Sequence, residues 1–590
     1  MSEAATPPAE DAQRDDRPSD RHSSDDHASD NRKAAPEGRD HQAFPVLTDE
    51  QLERIKPFGK VETLEAGTAV FQRGQTHADL YVLLSGCIEI FDFNCQGEPQ
   101  VFTTHEDSQF TGEIDLFSDR KVLVSGRIGE DAEVIRVPNE RFRELMAAEP
   151  EIADVMLRAF IVRRIGILES NLGGSWLVGR HNDPDTLRIQ QFLQRNGYPV
   201  RTVYVEDDSH ARDALEQNDC TEEDLPVLLC HGEKPFRNPS LIEAARGVGI
   251  AETPDSDAYD VAVIGAGPGG MAAAVYAASE GLKVVVLERQ APGGQAGTSS
   301  KIENYLGFPN GLSGQELAGR AQIQAQKFGA RLALPMAVSK IDGERPPYTV
   351  HTDACEPITC RSIVIASGAT YRTLSLNGYE AFEGRGIYYA ATAIEAGLCE
   401  GEEVIVIGGG NSAGQAAVYM SRNARHVHVL VRGDSLADSM SDYLLKRLEA
   451  SRDITLHFNT EVTDLRGNGS LESVTWENSA TDEREDHDIR HIFSMIGAVP
   501  NTGWLNGSVL TDENGFVCTG VDVLENERWP LDEGERRPGT FETSLPGVFA
   551  VGDVRAGSVK RCASAVGEGS VCVQAVHRVV SDLRDAETSA

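Results

Sequence analysis

The chain has 590 residues, 40% of them hydrophobic and 25% charged, and a formal net charge of -38. That length allows about four domains, each able to bury its own core. Acidic residues outnumber basic ones along almost the whole chain, and such a surface repels nucleic acid and anionic membrane, which argues against DNA, RNA and lipid headgroups as partners.

Residues 1–43 are Asp, Ser, Arg, Ala and Pro with almost no large apolar side chains, so an acidic, disordered tail is expected. The first residues are polar and acidic, unlike a signal peptide. No uninterrupted run of about 18 apolar residues suggests a membrane span. The ten cysteines contain no Cys-x-x-Cys, a pattern that fits a reducing cytoplasm. Cys355 and Cys360 are the nearest pair and read as two ordinary thiols in preference to a disulfide.

From 44 to 168, short alternating strands (TAVFQRG, LYVLLSGCIEIFD, PQVFTTH, AEVIRVP) lead to a helix beginning near Asn139. The order resembles a cyclic-nucleotide-binding domain, a small β-roll with flanking helices. In that family a Gly-Glu turn and a following Arg grip the ribose and the cyclic phosphate. Gly112-Glu113 is present, but the expected Arg-Ser/Thr-Ala is replaced by Asp119-Arg120-Lys121-Val122-Leu123. Glu113 remains suited to a ribose hydroxyl, and Arg120 or Lys121 could serve the phosphate from a shifted position. The better expectation is a degenerate sensing or docking module, not a cyclic-nucleotide receptor.

Residues 174–250 alternate strand and helix: SWLVGR, PDTLRIQQFLQRNG, RTVYVED, HARDALEQND, LPVLLC and PSLIEAARGVG. This order resembles a thioredoxin or glutaredoxin-like domain, with Pro226 at the family's proline before the third strand. Where the redox Cys-x-x-Cys should follow the first strand, the chain has His181-Asn182-Asp183-Pro184, so no thiolate is available there. A recognition surface is expected, and AETPDSDAYD reads as a linker.

Two nucleotide-binding fingerprints follow. In the first, VAVIG runs into Gly265-x-Gly267-Pro268-Gly269-Gly270 and a helix of small residues, and Glu288 ends the next strand. The glycines allow a tight turn, close approach of a pyrophosphate to the helix N-terminus, and helix–strand packing; Glu288 suits a ribose hydroxyl. The second is Gly408-x-Gly410-Asn411-Ser412-Ala413, followed after its next strand by Arg432 in place of an acid. Arg at that position favours a 2′-phosphate, hence NADPH with NADH still possible.

The stretch GGQAGTSSKIENYLGFP resembles the flavin-contacting loop of low-molecular-weight thioredoxin reductases, matching Gly294, Gln295 and Asn304. The resemblance further implies FAD contacts at Ser367 and Gly368, at Gly552 and Asp553, and at the helix N-terminus bearing Cys562 and Ala563. It implies two Rossmann-like α/β domains, an FAD domain in parts (258–375 and 496–585) with the NAD(P) domain (376–495) inserted, and a homodimer. Aligning Gly384-Arg385-Gly386 with the family's Gly-Arg-Gly puts Ala390 and Ala393 on the positions of its redox dithiol. No catalytic thiol is therefore expected. The first reading is a flavoenzyme taking hydride from NAD(P)H and passing electrons to ferredoxin, a quinone, oxygen or an external disulfide. Ferredoxin reductases of similar fold also lack the cysteine pair. The second reading is a slow or non-catalytic redox or nucleotide sensor.

Overall fold

The computed structural model describes residues 39–93, 99–118, 120–170, 174–181, 183–207, 209–230, 233–255, 258–299, 302, 305–389, 391, 393–437, 439–526, 529 and 536–589. The first sheet is a β-roll built on two long antiparallel partners, Leu80–Phe93 and Ser125–Val137. Lys60–Leu64 and Ala69–Phe71 pair with the second of these, and Pro99–His105 with the first. The helix Pro150–Ser170 closes the roll. Its buried Ile152, Met156, Ala159, Phe160, Arg163 and Ile167 recur at helical spacing, giving one continuous packed face.

The disordered tail was expected to reach residue 43. Instead Asp40–Ala43 forms a helical turn, Ala43 is fully buried, and Arg163 Nε donates to its carbonyl at 2.7 Å. Composition missed this because the stabilising partner is a guanidinium more than a hundred residues away. Residues 1–38 of that expectation lie outside the described residues.

The next unit has the sheet order Val200–Tyr204, Ser175–Gly179, Val227–Leu229, Phe236–Arg237. The first pair is parallel and the other two antiparallel, with helices Pro184–Arg195, Ser209–Gln217 and Leu241–Val248 around them. The Leu225–Pro226 peptide is cis. This unit does not stand apart from the β-roll: one apolar cluster runs from Phe71, Ile90 and Phe102 through Ile167 to Leu177, Phe192 and Leu228. His181, which stands where the redox motif was expected, pairs with Asp207 and stacks on Tyr204 at 3.9 Å.

The expected linker carries structure as well. Glu252 exchanges backbone hydrogen bonds with Leu334 at 2.9 Å each way, while its carboxylate accepts from Arg120 Nε at 3.1 Å. Arg120 Nη1 also donates to the Asn196 carbonyl at 2.9 Å. One buried guanidinium thus joins the β-roll, the α/β unit and the edge of the following sheet.

That sheet holds parallel strands Arg331–Ala333, Val284–Leu287, Ala258–Ile264, Ile358–Ile365 and Val548–Ala550, extended by an antiparallel pair, Tyr348–Thr352 and Val338–Asp342. A second, wholly parallel sheet runs Ile387–Tyr388, His491–Ser494, Glu403–Ile407, His426–Val431, Ile454–Phe458. The strand His426–Val431 brings a histidine cluster together: His428 Nδ1 lies 3.1 Å from His457 Nε2, with His426, His487 and Glu403 around them. Burial, reinforced by the neighbouring rings, pulls His428 down to about 4, and burial does the same for His491. Both rings stay neutral in the fold while the unfolded chain takes up protons below about pH 6.5. Stability from these sites is therefore present above that pH and lost as pH falls toward 4. We expect the melting temperature to drop across this window, and His428→Asn to flatten the drop; an unchanged slope would refute the assignment.

Candidate nucleotide-binding site

The first turn is shaped by steric demand. Gly265 has φ +103, and a Cβ there would sit 2.4 Å from the Ala366 carbonyl oxygen. A Cβ on Gly270 would come within 2.0 Å of the Gly265 oxygen, so strand and helix touch through backbone alone. Gly269 and Gly569 do the same between helices: a Cβ on Gly569 would lie 2.1 Å from the Gly269 oxygen, which lets the C-terminal helix Cys562–Ser589 press against Pro268–Ser279. By contrast, a Cβ on Gly267, which caps the latter helix, would meet nothing within 4 Å. The turn is tight inside and open at the helix end, the shape an anionic diphosphate requires.

Around that opening the structure collects segments distant in sequence. Glu288 is buried at the end of its strand, and its carboxylate accepts from the backbone of Ala266 at 2.7 Å and of Gln290 at 2.8 Å. Expected only as a ribose partner, it also braces the loop, and a carboxylate retains lone pairs for a further donor. Gly294 packs over Gly267, and Gln295 donates to the Ala369 carbonyl. Ser367 Oγ donates to the Asn501 carbonyl at 2.8 Å, and Gly368 stands in open space. Gly552 donates to Glu568, itself paired with Arg555 at 2.6 Å. The Asp553 carboxylate takes no hydrogen bond from the described residues, and burial lifts its carboxyl above the usual range. Such a group suits a hydroxyl-bearing ligand chain. Cys562 and Ala563 open the C-terminal helix beside it, and burial pushes the Cys562 thiol up. Asn304 lies outside the described residues.

The second turn repeats the logic more loosely. Gly408 has φ +141, and a Cβ there would lie 2.4 Å from the Met495 oxygen. Gly410 caps Asn411–Met420. Asn411 Oδ1 accepts from Ser441 N at 2.7 Å, and Ser439 Oγ donates to the Gly409 carbonyl at 2.7 Å. That bracing segment escaped the sequence reading because serine in a loop carries no periodic signal. Ser412 is exposed, as is Arg432 just past the strand end, and no ion pair to Arg432 forms among the described residues. The two sheets are linked by the short ladder Ala369–Tyr371 with Ala498–Pro500.

The structure adds contacts that the sequence did not announce. The helix Pro184–Arg195 reaches both halves: Gln191 Nε2 donates to Glu395 at 2.8 Å, while Arg195 Nη2 donates to the Gly294 carbonyl at 2.8 Å. Glu395 lies in the helix Ala393–Leu398; Ala390 lies outside the described residues. The nine described cysteines are all free, Cys355 and Cys360 included, and Cys399 is fully buried. Among the described residues no group of three or more His, Cys, Asp or Glu could hold a metal ion, and no helix is long and apolar enough to cross a membrane.

Two glycine turns, each at the end of a parallel strand, with one sheet inserted into the sequence of the other, define a flavin- and nicotinamide-dependent oxidoreductase. The chain belongs to the pyridine nucleotide-disulphide oxidoreductases, whose family model matches residues 259–569, and a cyclic nucleotide-binding domain model matches 61–149. It is similar to NADPH-dependent thioredoxin reductase 3 of Arabidopsis thaliana, 35% identical over 329 residues, and spans 58% of that protein with 55% of its own length. Thioredoxin reductase of Bacillus subtilis is 32% identical over 328 residues, covering 55% of this chain and 96% of the relative. The crystal structure of Lactococcus lactis thioredoxin reductase aligns with TM-score 0.49 at 30% identity, over 55% of this chain and 99% of that one. The class uses FAD and NADPH, and the residues around both turns fit such cofactors.

Proposed function

We propose that this chain is an FAD-dependent NADPH oxidoreductase that delivers electrons to an external acceptor without a cysteine pair of its own. The observation that carries this reading is the pair of glycine turns combined with a sequence that contains no Cys-x-x-Cys. FAD bound here would supply the chemistry of taking hydride from the nicotinamide and passing electrons on. The chain's own residues bind and orient. The opening at Gly267 and the N-terminus of Pro268–Ser279 take the FAD diphosphate. Glu288 takes a ribose hydroxyl, and Asp553 takes a hydroxyl of the ribityl chain. The N-terminus of Cys562–Ser589 would lie toward the flavin, where its dipole would favour negative charge on the reduced ring. Gly410, Asn411 and Ser412 hold the NADPH diphosphate, and Arg432 holds the 2′-phosphate.

Arg432→Ala should lower kcat/KM for NADPH about ten- to a hundredfold, the loss of a charge-assisted contact, with NADH little changed. Steady-state rates with both nucleotides measure this, and equal losses for both would remove Arg432 from the phosphate site.

We assign the unit 174–250 as thioredoxin-like in fold and as a docking element without redox chemistry. Its helix Pro184–Arg195 touches both the flavin loop and the helix Ala393–Leu398, which supports one dominant arrangement of the nucleotide domain. A homodimer in the cytoplasm is the assembly we expect. Anaerobic titration with NADPH, followed by ferredoxin, quinone, oxygen or a disulfide, tests the reading. Flavin should bleach stoichiometrically and recover its colour with one acceptor class. Protein that stays colourless after reconstitution would overturn the assignment. Bleaching that no acceptor reverses would favour the sensor.

A further inference from the structure

The flavin loop does not stand by itself: the C-terminal end of the helix Pro184–Arg195, which belongs to another unit, holds it by its backbone. Arg195 Nη2 donates to the Gly294 carbonyl at 2.8 Å, and Asn196 Nδ2 donates to the Gln290 carbonyl at 2.9 Å. Gln315 Nε2 returns a bond to the Gln194 carbonyl at 2.6 Å. That helix end is itself fixed from behind, because Arg120 Nη1 and Arg164 Nη1 donate to the Asn196 and Gly197 carbonyls at 2.9 Å each. Gly294 has φ +53, and a Cβ there would lie 3.2 Å from Gly267 Cα, so the held peptide borders the opening assigned to the diphosphate. The Gly294 carbonyl and the Gln295 N–H belong to one trans peptide and point in opposite directions. Anchoring the carbonyl on Arg195 thus turns that N–H away from the helix, and among the described residues it has no hydrogen-bond acceptor.

We propose that Arg195 is a positioning residue for the flavin: it fixes and polarises the peptide between Gly294 and Gln295, so that the Gln295 N–H becomes a strengthened donor to the isoalloxazine ring. This role rests on FAD occupying the turn at Gly267, the reading proposed for the chain. A hydrogen bond from a guanidinium is about twice as strong as one between neutral groups. Its pull on the carbonyl oxygen passes through the peptide to the N–H at the other end and strengthens the next bond in the series. Reduced flavin carries more negative charge than oxidised flavin, so a stronger donor favours the reduced form and raises the potential. A side chain outside both nucleotide domains thereby sets how readily the flavin is reduced. Gln191, one turn earlier on the same helix, supplies the comparison. It donates to Glu395 at 2.8 Å and makes no hydrogen bond to the flavin loop among the described residues.

Anaerobic redox titration of the full-length, FAD-loaded protein, followed by visible absorbance, tests this. Arg195→Met should keep its flavin but lower the preference of the site for reduced over oxidised flavin about tenfold, a midpoint about 30 mV lower for a two-electron couple. Arg195→Lys, which restores a charged donor, should recover most of that shift. Gln191→Ala, which loosens the same helix elsewhere, should leave the midpoint unchanged. If Arg195→Met fails to hold flavin, Arg195→Gln is read in its place, and the shift should reappear at smaller size. A wild-type midpoint in the variant read, an equal shift in Gln191→Ala, or no recovery with Arg195→Lys would each overturn the proposal. Wild-type protein that takes up no flavin would instead refute the FAD assignment itself.

Discussion

Gly265→Ala should purify without flavin. The residue sits at φ +103, where an L side chain is strained by about 1–3 kcal/mol. The added Cβ would also lie 2.4 Å from the Ala366 oxygen and 2.9 Å from its carbonyl carbon, both backbone atoms of the adjoining strand end. Neither can yield without breaking the ladder between Ile264 and Ile365, so the turn itself must open. Gly267→Ala is the informative companion. Its Cβ meets no protein atom within 4 Å and therefore leaves the fold intact, while occupying the space assigned to the diphosphate. Flavin-to-protein absorbance and an unfolding curve separate the two: Gly265→Ala loses both flavin and stability, Gly267→Ala flavin alone. Full flavin in both variants would mean that this turn is not the FAD cradle.

Arg120→Ala should be the most damaging change far from that site. Its guanidinium and the Glu252 carboxylate are 4% and 1% exposed, so removing one leaves the other charged and buried. Breaking such a pair costs about 3–5 kcal/mol, whereas replacing both partners with apolar residues of similar size is often neutral. Arg120→Met with Glu252→Leu should accordingly recover most of the melting temperature lost by Arg120→Ala. Because Glu252 is bridged to Leu334, the single variant should also expose the 250–255 segment to limited proteolysis. Wild-type melting and protease resistance in Arg120→Ala would show that the joint is not held by this pair.

Much of the fold was legible in the chain. The second unit's three helices and three main strands follow from apolar period and flanking turn residues, and only the two-residue strand Phe236–Arg237 was too short to signal itself. Both glycine turns were legible because the diphosphate-binding geometry needs glycine at fixed spacing next to a strand and a helix. The partners of those turns were less so. Ser439 and Ser441 brace the second turn, and Arg195 reaches the first from another unit, through contacts that no local pattern encodes. The β-roll shows the same divide. Gly112-Glu113 could be read from the sequence, but the pairing of Glu113 with Arg164 could not, because Arg164 lies on a later helix.

By itself, then, the sequence determined which segments form strands and helices, where backbone must approach backbone, and that the chain contains no Cys-x-x-Cys. Tertiary structure alone decided how charges are spent. Among the described residues it gave Arg120 to Glu252 and left Arg163 without a carboxylate, because partners separated by many residues are chosen by packing. Local spacing encodes steric need, whereas long-range electrostatic pairing exists only once the chain has closed on itself.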